Sequence, residues 1–415
     1  MSQSEAADDR LGAVCGWGLA AVLALAPLIA WLAPLGFAPL VALLGLAALP
    51  ALRVSEEDRP ATLAIIIGVL WACGSMVWSP YRPKDLEGAT ALKLALQAPL
   101  YWSALCAARR ASPRARFWAL RLYAWGLAAL GVLLLAEAMT GAGIYRALRV
   151  LTHDPIRPDL AVKNVAQTTF VLALLWPTAA VAGARTGAGR WLAAPMLAGV
   201  VAGGHALGAD APLIAAALST LVTAAVFWRP RAAPAILGVL AGLMFLIAPY
   251  VVMLARVSGL YARLEAAVPL SWSERMGYWR HAADWISDHP LRGWGLDASR
   301  MFAPGIRLHP HDAPLQIWLE LGVIGAVAAA VLWVVIFMRL RRSRPDAALA
   351  AAAGSAVAYL VFNAVSFGVW QEWWLALGAL AACAGTAVAR QPAAAPSPAR
   401  APVAMRSSTM APISD

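Results

Sequence analysis

Residues 309–325 read HPHDAPLQIWLELGVIG and place two histidines, an aspartate and a glutamate at the start of an apolar run. Asp312, with Pro314 two residues later, is typical of a helix N-cap followed by proline in the first turn. The apolar residues continue to about 338, which is long enough to cross a bilayer. The stretch therefore predicts a membrane-spanning helix with ionisable groups at its N-terminal end.

The composition of the whole chain also indicates a membrane protein. Of its 415 residues, 61% are hydrophobic and 13% are charged, whereas a soluble domain has about 25% charged residues. The opening decapeptide MSQSEAADDR is acidic and leads into a long apolar run, so the first span is expected to remain as an anchor. The four cysteines lie in or beside apolar runs and suggest neither a disulfide framework nor a thiolate metal site.

Twelve apolar segments are predicted to span the membrane, at roughly 12–32, 36–52, 60–78, 88–107, 117–138, 164–183, 191–206, 211–228, 233–255, 313–338, 346–366 and 370–389. Arginine-rich interruptions each fall between an even-numbered span and the next odd one. Cytoplasmic loops carry the excess of arginine, so both termini are predicted to be cytoplasmic. Residues 1–389 are predicted to form one membrane domain, and the Pro-, Ala- and Ser-rich residues 390–415 a disordered cytoplasmic tail.

Two loops on the opposite, extracytoplasmic side are both long and basic, at 139–163 and 256–312. Genome composition and the positive-inside rule account for most arginines of this chain, whose net charge is +11. They do not account for positive charge on the extracytoplasmic side. An anionic ligand there is the simplest explanation, because arginine suits bidentate contact with phosphate.

The second basic loop contains a predicted helix at 271–290, SWSERMGYWRHAADWISDHP. Ser271 and Glu274 have the spacing of a capping box, and Pro290 is expected to end the helix. One apolar helical face is formed by Trp272, Met276, Trp279, Ala283 and Ile286. Arg275 lies about 50° from the centre of that face, so it is expected to point toward the body of the protein. Snorkelling, or pairing with a carboxylate, remains an alternative.

His311 is expected to be neutral and able to accept a proton, because the partial positive charge of the following helix N-terminus lowers its basicity. No metal is predicted, because neighbouring ligands in His-Pro-His-Asp cannot readily converge on one ion and the extracytoplasmic loops contain no Asp-x-Asp pair. Glu320 would be costly as a free charge in lipid, so it should face the bundle or hydrogen-bond a neighbour. Gly322 and Gly325 would allow close approach of another helix or a lipid chain.

The combination of His311, Asp312, nine residues, Gly322, two residues and Gly325 resembles the histidine motif of the O-antigen ligase family. The preceding segment, ERMGYWRHAADWISDHPLRGWGLDASRMF, also resembles that family's loop, with an arginine, a tryptophan and a Pro-Leu-x-Gly-x-Gly turn. The motifs cover roughly 160 to 340. The family usually has Asn, Ser or Gln after the histidine, so Asp312 departs from the pattern. Those residues can donate a hydrogen bond, and the departure puts that donor role at position 312 in doubt.

The resemblance implies an all-α, GT-C-like membrane glycosyltransferase with about twelve transmembrane helices and a large helical periplasmic loop between spans 9 and 10. It implies transfer of O-antigen polysaccharide from undecaprenyl pyrophosphate to a lipid A–core sugar hydroxyl, on the periplasmic side of the bacterial inner membrane. Such ligases invert the anomeric centre and use neither metal, cofactor nor nucleotide sugar. The implied partners are these two substrates and membrane lipids, with no nucleic acid.

The resemblance also assigns residues. His311 matches the family's essential histidine, and Arg275 its large-loop arginine, which is predicted to be catalytic and to bind pyrophosphate. Further candidates for pyrophosphate contact are Lys84 and Arg82 in the loop WSPYRPKDLEG, Arg157 and Lys163 in the middle loop, and Arg280. Arginines would stabilise the departing negative charge, and a neutral histidine would be the base for the incoming alcohol.

Two alternatives remain open from the sequence. An O-antigen polymerase or a protein O-oligosaccharyltransferase of the same superfamily would use a lipid-linked glycan and similar motifs. A transporter or flippase for an anionic lipid would suit twelve spans and basic cavities. A transporter, however, should place ionisable residues near mid-membrane, whereas here they collect in extracytoplasmic loops.

Overall fold

The computed structural model describes residues 3–392, and all regular secondary structure in that range is helical. The α-helices are α1 (Gln3–Leu32), α2 (Phe37–Ala47), α3 (Arg59–Ser75), α4 (Thr90–Arg110), α5 (Pro113–Thr140), α6 (Gly143–Leu151), α7 (Pro158–Arg185), α8 (Ala193–Ala206), α9 (Asp210–Trp228), α10 (Ala232–Val257), α11 (Leu260–Ala267), α12 (Leu270–Asp288), α13 (Ala313–Arg339), α14 (Ala347–Val365) and α15 (Glu372–Arg390). The all-α class predicted from the sequence is confirmed. Most of the predicted tail lies outside the described residues.

Eight helices of the described range are long and apolar enough to cross a membrane, namely α1, α5, α7, α9, α10, α13, α14 and α15. This pattern is that of an integral membrane helical protein. The other four predicted spans correspond to α2, α3, α4 and α8, which are helical but shorter or more polar. Helix α2, for example, has only 11 residues and is followed by a 3₁₀ turn that contains Pro50. The number of twelve spans stays a prediction.

The helices pack around two main apolar cores. The first is centred on Tyr123 and Trp374 and is formed mainly by α1, α2, α5, α7, α8 and α15. The second is formed by α10, α12 and α13, where Phe245, Ile286 and Trp318 are buried together. The second core fixes α12, which lies in the predicted large loop, against the first turns of α13. The candidate site lies at this junction.

Helix α12 begins two residues earlier than a capping box at Ser271 requires. Pro269 precedes the first helical residue, Leu270, so the Ser271 side chain is not the cap and that prediction is wrong. The extended backbone of Pro269, with φ −59° and ψ 157°, sets the helix start instead. The predicted end before Pro290 is confirmed, because α12 stops at Asp288. The predicted apolar face is also confirmed by the buried side chains of Met276, Ala283 and Ile286.

Helix α13 is interrupted at Gly322, which has φ 64° and ψ −160°. In a continuous helix the Val323 N–H would donate to the Leu319 carbonyl. Here the Val323 N–H donates to the carbonyl of Pro290 (2.9 Å), and the Leu319 carbonyl accepts from the Trp294 N–H (2.8 Å). We call residues 290–297 the strap. Backbone groups of the strap thus replace the hydrogen bond that the break removes.

The strap also explains why residue 322 is glycine. A Cβ atom there would lie 2.4 Å from the Leu291 carbonyl oxygen. The expectation that another helix or a lipid chain approaches Gly322 is therefore wrong, because the strap backbone occupies that position. At Gly325 a Cβ would meet Leu321 and Ile317 of the same helix, since the break brings these side chains close.

Glu320 joins three parts of the structure. Its fully buried carboxylate accepts hydrogen bonds from the Asp297 N–H (2.9 Å), the Trp370 indole (2.5 Å) and the Gln316 amide (3.1 Å). Three donors satisfy a carboxylate that lies away from water. Glu320 faces the bundle interior, as expected, and links the strap to the loop 366–371 between α14 and α15.

Candidate active site

The turn before α13 brings two histidines together. Asp312 caps the helix, as predicted, with its Oδ1 accepting from the Leu315 N–H at 2.8 Å. His311 has a positive φ of 56°, and its backbone N–H donates to Nδ1 of His309 at 3.2 Å. The two imidazole rings are 4.2 Å apart between centroids. Helix α12 lies on one side of this pair and the loop 366–371 on another.

The hydrogen bonding of His311 leaves one ring nitrogen free. Its Nδ1 lies 2.7 Å from the carbonyl oxygen of Ser366, which can only accept, so Nδ1 carries the hydrogen. In the neutral ring Nε2 then keeps its lone pair, and it has no hydrogen-bond partner within residues 3–392. The ring of Tyr278 stacks on the imidazole at 6.1 Å. His311 is therefore oriented as a hydrogen-bond or proton acceptor.

The electrostatics of His311 favour the neutral ring. Burial lowers its pKa from the ordinary value of 6.5, and the charge of Arg275 lowers it further, while the Ser366 carbonyl opposes both. The predicted direction is confirmed. Burial is the largest cause, whereas the sequence argument relied on the helix terminus.

His309 has a different environment. It is buried, with Nδ1 bonded to the His311 backbone and Nε2 3.3 Å from the side-chain amide of Gln371. Burial, followed by the charges of His311 and Arg300, lowers its pKa to about 3. Nδ1 of His309 already accepts from the His311 N–H, so in the neutral ring Nε2 carries the hydrogen and no basic nitrogen is free. His309 therefore supports the turn and leaves proton transfer to its neighbour.

Arg275 is half-buried one turn before Tyr278. Its Nη1 donates to the Ser271 carbonyl at 3.1 Å, and its guanidinium lies 5.5 Å from the Trp272 ring. It forms no ion pair with any carboxylate of the described residues, so the pairing considered from the sequence is absent there. Its charge adds to the effect of burial in lowering the pKa of His311. A cation on α12 and a neutral imidazole before α13 thus belong to the same candidate site.

Among the described residues, the other predicted pyrophosphate residues do not bond to His311 or Arg275. The exposed Arg157 pairs with Asp159 at 2.9 Å, and Arg280 with Glu265 at 3.6 Å. Arg82 donates to backbone carbonyls of its own loop. Lys84 and Lys163 are exposed. In the part of the chain that the structure describes, no hydrogen bond or ion pair joins these five to His311, so their role in binding stays a prediction.

The loop that carries Arg82 and Lys84 nevertheless docks on the strap. Ser79 donates through its hydroxyl to the Leu296 carbonyl at 2.7 Å, and the Trp78 indole donates to Gly293 at 3.2 Å. A side chain at Gly295 would collide with Ser79, since a Cβ there would lie 2.6 Å from the Ser79 Cα. The contact brings the predicted basic loop to the segment that precedes His311.

Burial raises the pKa of Asp312 to about 7, although the Leu315 N–H favours the ionised form. Near neutrality the carboxyl group is therefore protonated in part of the molecules. Its O–H can then donate a hydrogen bond, as the amide of Asn or Gln does. The protonated form of Asp312 would therefore supply a donor at the position where the family usually has Asn, Ser or Gln.

The loop 366–371 was missed by the sequence analysis. It supplies the Ser366 carbonyl to His311, the Gln371 amide to His309 and the Trp370 indole to Glu320. The sequence showed only a short uncharged connection between two apolar segments. The cluster of polar and aromatic residues in SFGVWQEWW was the available signal.

A large cavity lies between α3, α4, α13, α14 and α15. Its volume is about 1560 Å³, and along α13 it is lined from Ile317 to Arg339. One end reaches Trp370, which bonds Glu320. The other end reaches Asp58, which is buried and bonded to Arg109 and Arg339. The walls between these ends are mainly alanine, leucine and isoleucine, and Gly325 is among them.

Residues 191–330 match the O-antigen ligase family model. Proteins named as candidate polysaccharide ligases are similar to this chain in Rickettsia conorii (27% identical over 122 residues), Rickettsia felis (26% over 122) and Rickettsia bellii (28% over 121). These matches span 26% of this chain and 29–30% of each relative, so less than a third of the relatives' length is covered. No solved structure matches the chain. Over the segment that contains Arg275, the strap and His311, the chain is similar to the O-antigen ligase family.

Proposed function

We propose that this protein is an O-antigen ligase that transfers O-antigen polysaccharide from undecaprenyl pyrophosphate to a sugar hydroxyl of lipid A–core. The observation that carries the proposal is the free Nε2 of His311, whose ring is oriented by the Ser366 carbonyl. The charge of Arg275, which has no carboxylate partner among the described residues, helps to lower the pKa of this ring. Similarity to the O-antigen ligase family over residues 191–330 supports polysaccharide and lipid substrates. The relatives' names support ligation of a polysaccharide.

The proposed reaction is a direct displacement at the anomeric carbon. Nε2 of His311 removes the proton of the acceptor hydroxyl while the hydroxyl oxygen attacks the anomeric carbon of the donor. The bond between that carbon and the pyrophosphate oxygen breaks. The configuration inverts, and the pyrophosphate keeps the electron pair. Arg275 stabilises the charge that develops there, a type of contact worth about 3 kcal/mol in other enzymes. General base catalysis typically contributes about 10²–10⁴-fold.

The large cavity supports a long apolar donor. Its lining from Ile317 to Arg339 covers about 33 Å of helix, at 1.5 Å for each residue. A polyprenyl chain could occupy this space with its pyrophosphate directed toward the end beside Trp370. That end is joined to His311 through the loop 366–371, which carries both Trp370 and the Ser366 carbonyl.

Reconstitution provides the test of this function. The full-length protein in liposomes with purified undecaprenyl-pyrophosphate glycan and lipid A–core is expected to form the transfer product at the same rate with and without excess EDTA. Dependence on a divalent ion would contradict the metal-free mechanism. Extension of the donor glycan, or transfer to a protein acceptor in place of lipid A–core, would instead support a polymerase or an oligosaccharyltransferase.

The proposed site faces the periplasm of the inner membrane, with both termini in the cytoplasm. Ser287 on α12 and Ser343 after α13 are both exposed and suit cysteine labelling, whereas Ser299 is buried. A cysteine at Ser287 is expected to react with a membrane-impermeant maleimide in intact spheroplasts, and one at Ser343 only after lysis. The opposite pattern would place the site in the cytoplasm.

Replacing Arg275 by lysine is expected to slow transfer about tenfold while the protein remains folded. Lysine keeps the charge but cannot make a two-oxygen contact with pyrophosphate. The matched control is Arg256→Lys, because Arg256 is already paired with Asp284 of α12 and is not among the predicted pyrophosphate contacts. Transfer rates of purified variants, normalised to folded protein, give the comparison, and equal rates would remove Arg275 from the mechanism.

A further inference from the structure

One face of α12 leads away from His311 to a second feature. Tyr278, His281 and Trp285 follow at steps of three and four residues, so they share that face. Tyr278 stacks on His311 at 6.1 Å. Trp285 lies seven residues further along, about 10 Å at the rise of an α-helix, and contacts Phe302. Arg275 lies in the other direction from Tyr278.

The second feature is a cleft of about 330 Å³, which we call the aromatic cleft. It is lined by His281, Trp285, Phe302, Ala303, Pro304 and Gly305. The rings of Trp285 and Phe302 are 3.8 Å apart, and that of His281 lies 6.1 Å from Trp285. Gly305 lies close against the imidazole, since a Cβ there would be 3.2 Å from His281 Cγ. The three rings are half-buried and accessible.

The chemistry of the aromatic cleft fits a neutral sugar ring. Such a ring has apolar C–H faces, which pack on aromatic side chains, and a rim of hydroxyl groups. The imidazole of His281 has no hydrogen-bond partner within residues 3–392 and can both donate and accept. The lining contains no arginine, lysine or carboxylate, so nothing there selects a phosphate. The volume is near the lower end of the roughly 300–1000 Å³ of small-molecule sites, which suits one ring.

The position of the aromatic cleft indicates which sugar it would hold. In an inverting displacement the leaving pyrophosphate and the incoming hydroxyl lie on opposite sides of the anomeric carbon. Arg275 and the aromatic cleft lie on opposite sides of Tyr278 along α12, with His311 between them. We propose that the aromatic cleft binds a neutral sugar ring of the acceptor, adjacent to the sugar whose hydroxyl reacts. The inference rests on the proposed function for the roles of Arg275 and His311.

Two variants test the aromatic cleft in the reconstituted full-length protein. Gly305→Leu fills it, and His281→Ala removes one wall without adding bulk. With lipid A–core as the acceptor, both are expected to raise the KM for the acceptor about tenfold, because aromatic contacts of this kind contribute roughly threefold to tenfold each. The KM for the donor and the kcat at saturating acceptor should stay unchanged. His289→Ala is the control, since His289 packs on Trp294 outside the cleft.

A binding measurement separates this inference from the proposed function. Lipid A–core is titrated onto the wild type and onto His281→Ala in nanodiscs, without donor. Weaker binding by the variant supports the aromatic cleft even if the wild type transfers nothing, in which case the ligase function fails alone. An unchanged acceptor KM and unchanged binding in both folded variants, or a raised KM for the donor only, would overturn it.

Discussion

His311→Gln is expected to lower the rate of glycan transfer by about 10²-fold or more per folded molecule. The glutamine amide can still donate to the Ser366 carbonyl, so the local hydrogen bond is retained while the basic nitrogen is lost. His309→Gln is the control, because Nδ1 of His309 already accepts a hydrogen bond, no basic nitrogen of its ring is free, and its pKa is about 3. We expect that control to lose less than about tenfold, measured against folded protein.

The pH dependence adds a second measurement to this prediction. The proposed base works only when neutral, so the transfer rate should fall as the pH decreases through the pKa of His311. Burial lowers that pKa, so the midpoint should lie below 6.5. The residual rate of His311→Gln should lack this acid limb. Full activity of the glutamine variant would exclude His311 as the base, and weaker donor binding at normal turnover would make it a substrate contact.

Gly322→Ala is expected to destabilise the protein by about 3–5 kcal/mol. Alanine rarely adopts φ 64° with ψ −160°, and its Cβ would lie 2.4 Å from the Leu291 carbonyl oxygen. The strap would have to leave α13, which would expose the backbone groups of Leu319 and Val323. Thermal melting in detergent and protease cleavage within 290–297 measure the effect.

Gly277→Ala provides the matched control for this substitution. Gly277 lies within α12, and no atom is within 4 Å of the position of its Cβ. Alanine is favoured over glycine in a helix interior by about 0.5–1 kcal/mol, so the melting temperature should stay equal or rise. Equal melting temperatures for wild type and Gly322→Ala would mean that the break in α13 can be straightened at no cost.

Features set by neighbouring residues were predictable from the sequence. The cap at Asp312 and the buried face of α12 depend on side chains within a few turns, and both were found where expected. The cap at Ser271 was misassigned because the helix starts two residues earlier, with Pro269 at the N-cap position. A capping-box spacing alone does not decide between two possible helix starts that lie two residues apart.

Features set by distant parts of the chain were not predictable. The break at Gly322 depends on a strap about 30 residues earlier, and a glycine in a membrane helix has no unique meaning. The hydrogen bond from His311 to Ser366 joins residues 55 positions apart. The ion pairs of Arg157 and Arg280 likewise depend on side-chain placement that residue type does not specify. Motif resemblance predicted roles for His311 and Arg275, but only the structure provides the ring orientation.

The strap has a consequence for how the protein is made. Unpaired backbone groups cost several kcal/mol each in the hydrocarbon layer, so the break at Gly322 is a hazard while α13 enters the bilayer. The groups that satisfy this backbone are the indole of Trp71, the carbonyl of Pro290, and the N–H groups of Trp294 and Gly295. All four precede α13 in the chain and leave the ribosome first. The broken helix can therefore complete its hydrogen bonds as it is inserted, without waiting for any later segment to be synthesised.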